Sequence, residues 1–214
     1  MKEFNISEPA EYYSQINNKR FPYSACNVTA LTECLDIIDK LFDFPNGVQP
    51  EDHLMNVLRD DNSYERMERL YPWARKGGYE PNEVHAMLEW AVNLLVGEKV
   101  DTFSTTWDLR ELVYELVINK HPSAISGRFT DYGHIVTLVG IETEQEDIEK
   151  SASFQGINLS QIKKFIVDDP YGNYFDGYET TQGNDLRFSF KEFNDITKTY
   201  NDTSAKWAHL IKRA

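Results

Sequence analysis

The apolar positions of the chain change period near its middle. Between residues 25 and 43, Val28, Leu31, Leu35, Ile38 and Phe42 recur at spacings of three and four, one stripe along a helix. The pattern predicts a helix over about 25–43 that opens almost at Cys26 and stops before Pro45 and Gly47. Pro50-Glu51-Asp52 has the proline and first-turn acids of another helix start, continued by Leu54, Val57 and Leu58. A third helix is predicted over 82–96, set off by Gly77-Gly78 and Pro81, with Val84, Met87, Leu88, Ala91, Leu94 and Leu95 apolar. A fourth is predicted from Thr105 or Thr106 to about Asn119.

Beyond His121-Pro122 the period is that of strands. SAISGRF (123–129), HIVTLVGI (134–141), KFIVDD (164–169), LRFSF (186–190) and KWAHLIK (206–212) are predicted strands, with a short helix over 189–199 between the last two. HIVTLVGI is apolar on both faces, as a central buried strand is. Residues 1–25 are polar and extended in character. The order, helices first and turn-linked strands later, predicts an α+β fold with N-terminal helices on an antiparallel sheet, not alternating βαβ units. A single domain is expected over 1–214, with a helical elaboration at about 44–104 and a surface insertion at about 142–162.

Charge narrows the partners. The formal net charge is −13, from 22 Lys and Arg against 35 Asp and Glu. Such a surface repels phosphate backbones and anionic lipid, and the basic residues form no cluster, so neither a nucleic-acid partner nor membrane insertion is expected. Basic or neutral substrates suit the overall charge. No run reaches the length of a membrane span, and MKEFNISEPAEYYSQ lacks the apolar core of a secretory signal. A cytoplasmic location is the default expectation unless a signal has been removed or export takes another route. Cys26 and Cys34 lie eight residues apart on one predicted helix, ~12 Å at helical rise. A disulfide needs Cα atoms within ~7 Å, so both are expected to be free thiols. Oligomeric state is left open.

One of these thiols stands where chemistry is favoured. A cysteine at a helix N-terminus meets free N–H groups and the positive end of the dipole, which stabilise thiolate, the reactive form. Cys26 has that position; Cys34 lies two turns deeper among apolar neighbours and reads as a small buried hydrophobe. A nucleophilic thiol needs a base and a group that orients the base. Of the five histidines, His53 and His85 sit in amphipathic helices, and His85 with Glu89 reads as a helix-face pair. His134 opens the central strand directly after Gly133, at a strand end that faces a cleft. Asp168 and Asp169 close the KFIV strand, facing opposite sides, so only one meets the histidine; both also suit a turn cap before Pro170. An oxyanion donor is sought upstream of Cys26, where Gln15, Asn17 and Asn18 compete. Asp168, Asp176 and Asp185 match no calcium-loop spacing, and no cofactor or metal is expected. The aromatics Tyr171, Tyr174, Phe175 and Tyr178 suit packing under a loop or a recognition surface.

Taken in order, YSQ (13–15), SACNVTALTECLDI (24–37), GHIVTLVGI (133–141) and FIVDDPYGNY (165–174) resemble cysteine peptidase family thirty-nine and its relatives, the bacteriocin-processing peptidases. The resemblance implies a papain-like fold and a cysteine peptidase with Gln15 as oxyanion donor, Cys26 as nucleophile, His134 as base and Asp169 as orienter. Asn27 follows the nucleophile where many papain-like enzymes have glycine, and the Gln-to-Cys spacing is longer than in the transporter-linked peptidases. A peptide, a protein or cell-wall peptidoglycan is the expected substrate. A non-catalytic peptide-binding protein on the same scaffold is the alternative from another class.

Overall fold

The computed structural model describes residues 1–8, 10–60, 69, 81–199 and 205–213. Gly77-Gly78 and the middle of the expected helical elaboration lie outside the described residues. Among those described, seven strands form one antiparallel sheet: β1 (Lys2–Asn5), β2 (Asp101–Asp108), β3 (Ser123–Gly127), β4 (His134–Thr143), β5 (Ile162–Asp168), β6 (Leu186–Ser189) and β7 (Ala205–Ile211). The order is β2-β7-β3-β4-β5-β6, and β1 pairs with the far half of β4. β4 is buried along its whole length, as its two apolar faces require.

Helices cover both faces. On one lie α1 (Cys26–Ile37), α2 (Pro50–Leu58) and α3 (Pro81–Val96). Leu31, Leu35, Leu54, Leu88 and Val92 pack there with Ala124, Ile135 and Ile211 of the sheet. On the other lie α4 (Leu109–Tyr114), continued by a π turn over Glu115–Asn119, and α5 (Phe190–Ile196). Val136, Leu138, Phe165, Phe188 and Phe193 fill that side, with the Phe165 and Phe193 rings stacked at 4.2 Å. The mixed helix and antiparallel sheet is an α+β architecture.

Four expectations need correction. The first helix stops at Ile37 rather than near 43: Asp39 takes the left-handed conformation, φ 55°. Asp39 N–H then bonds Asp36 O at 3.0 Å and Lys40 N–H bonds Leu35 O at 2.9 Å, a Schellman stop. Phe42 is still buried against the helical cluster, which is why its spacing read as helix. The helix expected from Thr105 or Thr106 begins at Leu109, capped by the Asp108 side chain on Arg110 N–H at 2.8 Å, and residues 101–108 form strand β2 instead. The polar N-terminus contributes β1, which was expected only to be extended. Within 142–162, Ile148 and Ile157 are buried in the core, so this segment is anchored rather than lying wholly at the surface.

His85, expected on a helix face, is buried in a relay instead. Its Nδ1 lies 2.8 Å from His209 Nε2, and His209 Nδ1 lies 2.7 Å from Asp101 Oδ2. Burial, reinforced by His209, pushes the His85 pKa well down. The network joins α3, β2 and β7 through a neutral His85 enclosed by Phe103 and Trp207.

Candidate active site

Three elements converge at one end of the sheet: the first turn of α1, the start of β4 and the loop after β5. Cys26 is the first residue of α1 and is partly exposed. Its sulfur accepts hydrogen bonds from the N–H groups of Ile135 and Asn27 and engages the His134 ring. Burial pushes the thiol pKa up, but the hydrogen bond and charge of His134 together with these N–H groups outweigh it, and the net shift is downward. Cys34 is fully buried, and burial drives its pKa well up.

His134 is 5% exposed and opens β4. Its Nε2 lies 2.6 Å from Asp169 Oδ1, which leaves Nδ1 as the nitrogen for the thiol. Burial opposes the imidazolium, but the bonds to Asp169 and Cys26 prevail and raise its pKa to about 10. The two shifts act in opposite senses, the thiol toward its ionised form and the ring toward its protonated form. Phe129, Tyr171 and Tyr178 meet the His134 ring at 6.1–6.4 Å between centroids, edge-on, and keep it dry on those sides.

Asp169 follows the last residue of β5 and is fully buried. Besides His134 it accepts Tyr171 N–H at 2.9 Å on Oδ1, and its Oδ2 shares the Tyr178 hydroxyl with Phe129 O, each at 3.1 Å. Its backbone is held as firmly: Asp169 N–H bonds Gly183 O at 2.8 Å, and the Tyr12 hydroxyl donates to Asp169 O at 2.6 Å. Only glycine fits at 183, since a Cβ would stand 2.2 Å from Asp169 O. Tyr178 and Tyr12 are the partners that sequence reasoning missed. The aromatics of FIVDDPYGNY and its continuation pointed to packing, and Tyr178 does pack on Tyr171 at 4.9 Å, but its hydroxyl also serves the carboxylate.

Asp168 faces the opposite side, as alternation demands. It pairs in register with Thr137 of β4 and shares a hydrogen bond with Glu33 of α1. Thr137 donates to the same Glu33 carboxyl. Burial, then the charge of Asp168, drives the Glu33 pKa well up; burial raises Asp168 to about 6. Glu33 thus ties together the three elements that carry Cys26, His134 and Asp169. Asp176 instead caps the turn at Glu179 N–H (3.0 Å) and Thr180, so the acids 168, 176 and 185 do not converge on one point.

Among the upstream amides, Gln15 is 2% exposed, Asn18 is bound through its amide to Thr29 at 3.2 Å, and Asn17 is exposed. Gln15 N–H bonds Pro170 O at 2.8 Å, and its Nε2 donates to Pro22 O at 2.9 Å. Its backbone is therefore held to the loop beside Asp169 and its side chain to the loop leading into Cys26, with one Nε2 hydrogen uncommitted.

Fold and site together define a class: an α+β chain with a partly exposed cysteine beside a buried histidine. A family model described as Peptidase_C39 like matches residues 8–206, and the chain belongs to that family. Nothing among curated proteins or solved structures matches it. Among the described residues no helix is long and apolar enough to cross a membrane.

Proposed function

We propose that the chain is a papain-like cysteine hydrolase that cleaves a peptide or amide bond through a thioester acyl-enzyme. The Cys26–His134 pair carries this reading: a thiol depressed in pKa beside an imidazole raised to about 10 favours the nucleophilic form of the sulfur. The Cys26 thiolate attacks the carbonyl carbon. The oxyanion forms beside the Cys26 N–H, with the second Nε2 hydrogen of Gln15 as the other donor. The His134 imidazolium gives its proton to the leaving amine. The neutral ring then takes a proton from water as that water opens the thioester, and Cys26 is released. Asp169 keeps Nε2–H engaged so that Nδ1 faces the sulfur. A peptide or protein is the substrate on this reading; a zymogram on purified cell walls beside a peptide assay distinguishes peptidoglycan.

The first test is the alkylation rate of Cys26 by iodoacetamide against pH, located by mass spectrometry. Reaction is expected well below the ~8.5 of a free thiol, with an ordinary profile in His134→Ala and no turnover in Cys26→Ala. An ordinary profile in the unsubstituted protein, or full activity in Cys26→Ala, removes the hydrolase reading and leaves the binding-protein one.

A further inference from the structure

A cavity of about 500 Å³ opens where the end of β3 meets the start of β4. Ser126 and Gly127 of β3 line it and pair in register with Ile135 and His134. Ile135 N–H is one of the two backbone groups that face the Cys26 sulfur. Gly133, immediately before His134, lines it too; its φ of +80° demands glycine, and a Cβ there would meet nothing within 4 Å, so the wall beside His134 is open. Trp207 supplies an apolar flank.

The charges around this cavity run against the rest of the molecule. Among the described residues its charged lining side chains are Arg128 and Lys198, in a chain of formal net charge −13. Arg128 N–H bonds Ile196 O at 2.9 Å, which holds the two cations on one rim. Neither forms an ion pair with a described acid. Asp195, on the helix before Lys198, is ion-paired with Lys191 at 2.7 Å and meets Lys198 only as a charge through space. Two cations with no salt bridge to a described acid, beside an apolar wall, favour a carboxylate, whose pairing with guanidinium is bidentate and charge-assisted.

We infer that this cavity is a substrate subsite for a peptide carboxylate near the scissile bond, with Arg128 and Lys198 as the residues that select it. The inference rests on the cysteine-hydrolase reading and reverses the substrate preference that overall charge suggests. The selecting carboxylate is an acidic side chain or a free C-terminus, and both present the same chemistry to the two cations.

The test uses Cys26→Ala protein, so that nothing is turned over, and alanine-rich octapeptides carrying a neutral dye. Acetylated, amidated peptides carry Glu at each position in turn, with matched Gln and Lys series; one neutral peptide keeps a free C-terminal carboxylate. Anisotropy is expected to show at least tenfold tighter binding for Glu than Gln at one position, with Lys weakest. Equally tight binding of the free-carboxylate peptide assigns the site to a C-terminus. In R128E/K198E on the same background the order of Glu and Lys is expected to reverse. Glu, Gln and Lys binding alike at every position, no binding by any peptide, or an unchanged order in the double variant overturns the inference. The hydrolase reading fails separately, if unsubstituted protein leaves a tightly bound peptide uncut and Cys26 alkylates as an ordinary thiol.

Discussion

Asp169 never meets solvent, yet three donors converge on its carboxylate, and one of them, Tyr178, is a hydroxyl that phenylalanine would lack while keeping the ring. A hydrogen bond to a charged acceptor contributes ~1.5–3 kcal/mol. Tyr178→Phe is therefore expected to lower kcat by ~10-fold or somewhat more, each 1.4 kcal/mol being tenfold, with KM little changed and the thermal midpoint lowered by only a few degrees. Asp169→Asn should lower kcat further and KM less, because the amide still accepts from Nε2–H but no longer balances the imidazolium. Gln15→Ala is expected to cost ~10²-fold in kcat if its free N–H serves the oxyanion; an unchanged rate assigns Gln15 to holding the Pro22 and Pro170 loops together. Steady-state kinetics on one peptide check all three. Cys26, His134 and the pair Asp168-Asp169 were legible as candidates because each stands at the end of an element with clear periodicity. Tyr12 and Tyr178 were not, since a hydroxyl acts on a carboxylate only once a loop has brought it there, and a tyrosine amid aromatics reads first as packing.

At the scale of elements, apolar spacing gave reliable positions and unreliable ends. The α1 stripe continued through Phe42 because the chain stays on the core after the helix has stopped at Asp39. β2 was lost for the opposite reason. Its residues, DTFSTTWD, are mostly polar, and the face they bury includes Asp101, which is tolerated inside only because His209, more than a hundred residues away, bonds it. The Glu33–Asp168 pair is invisible to periodicity in the same way: Glu33 lies on the buried stripe of α1 as an apparent exception. Its consequence is a pH dependence of defined sign. An unfolded chain releases both protons near pH ~4, whereas in the folded protein Asp168 is raised to about 6 and Glu33 is raised well above its ordinary value by burial. Stability contributed by the protonated pair is then complete below pH ~4 and declines as pH rises through about 6. In Glu33→Gln the amide still donates to Asp168 and accepts from Thr137 without a titrating proton. Urea unfolding at pH 4.5, 6 and 7.5 should show a flatter profile for the variant, and a parallel profile would mean that the pair does not hold these elements together.

At the scale of the molecule, two apolar clusters meet across one sheet, and neither owns a sheet of its own. Leu31 represents the cluster under α1–α3, and Phe165 the cluster under α4 and α5; both are fully buried. Because β3 and β4 contribute alternate residues to each side, as with Ile135 and Thr137 against Val136 and Leu138, loss of one cluster strips one face of the strands that build the other. The expectation is a single cooperative unit over the chain. Leu31→Ala should cost ~2–5 kcal/mol and Phe165→Ala ~3–5 kcal/mol, and both should move the denaturant midpoint without changing the slope. The catalytic pair gives this a second readout. Cys26 belongs to the helical side, and His134 begins the strand that faces both, so in either variant the depressed pKa of Cys26 should vanish at the denaturant concentration where circular dichroism is lost. A Phe165→Ala protein that lost helix signal in two steps, with Cys26 still activated after the first, would show that the α1 face and its nucleophile fold independently of the other side of the sheet.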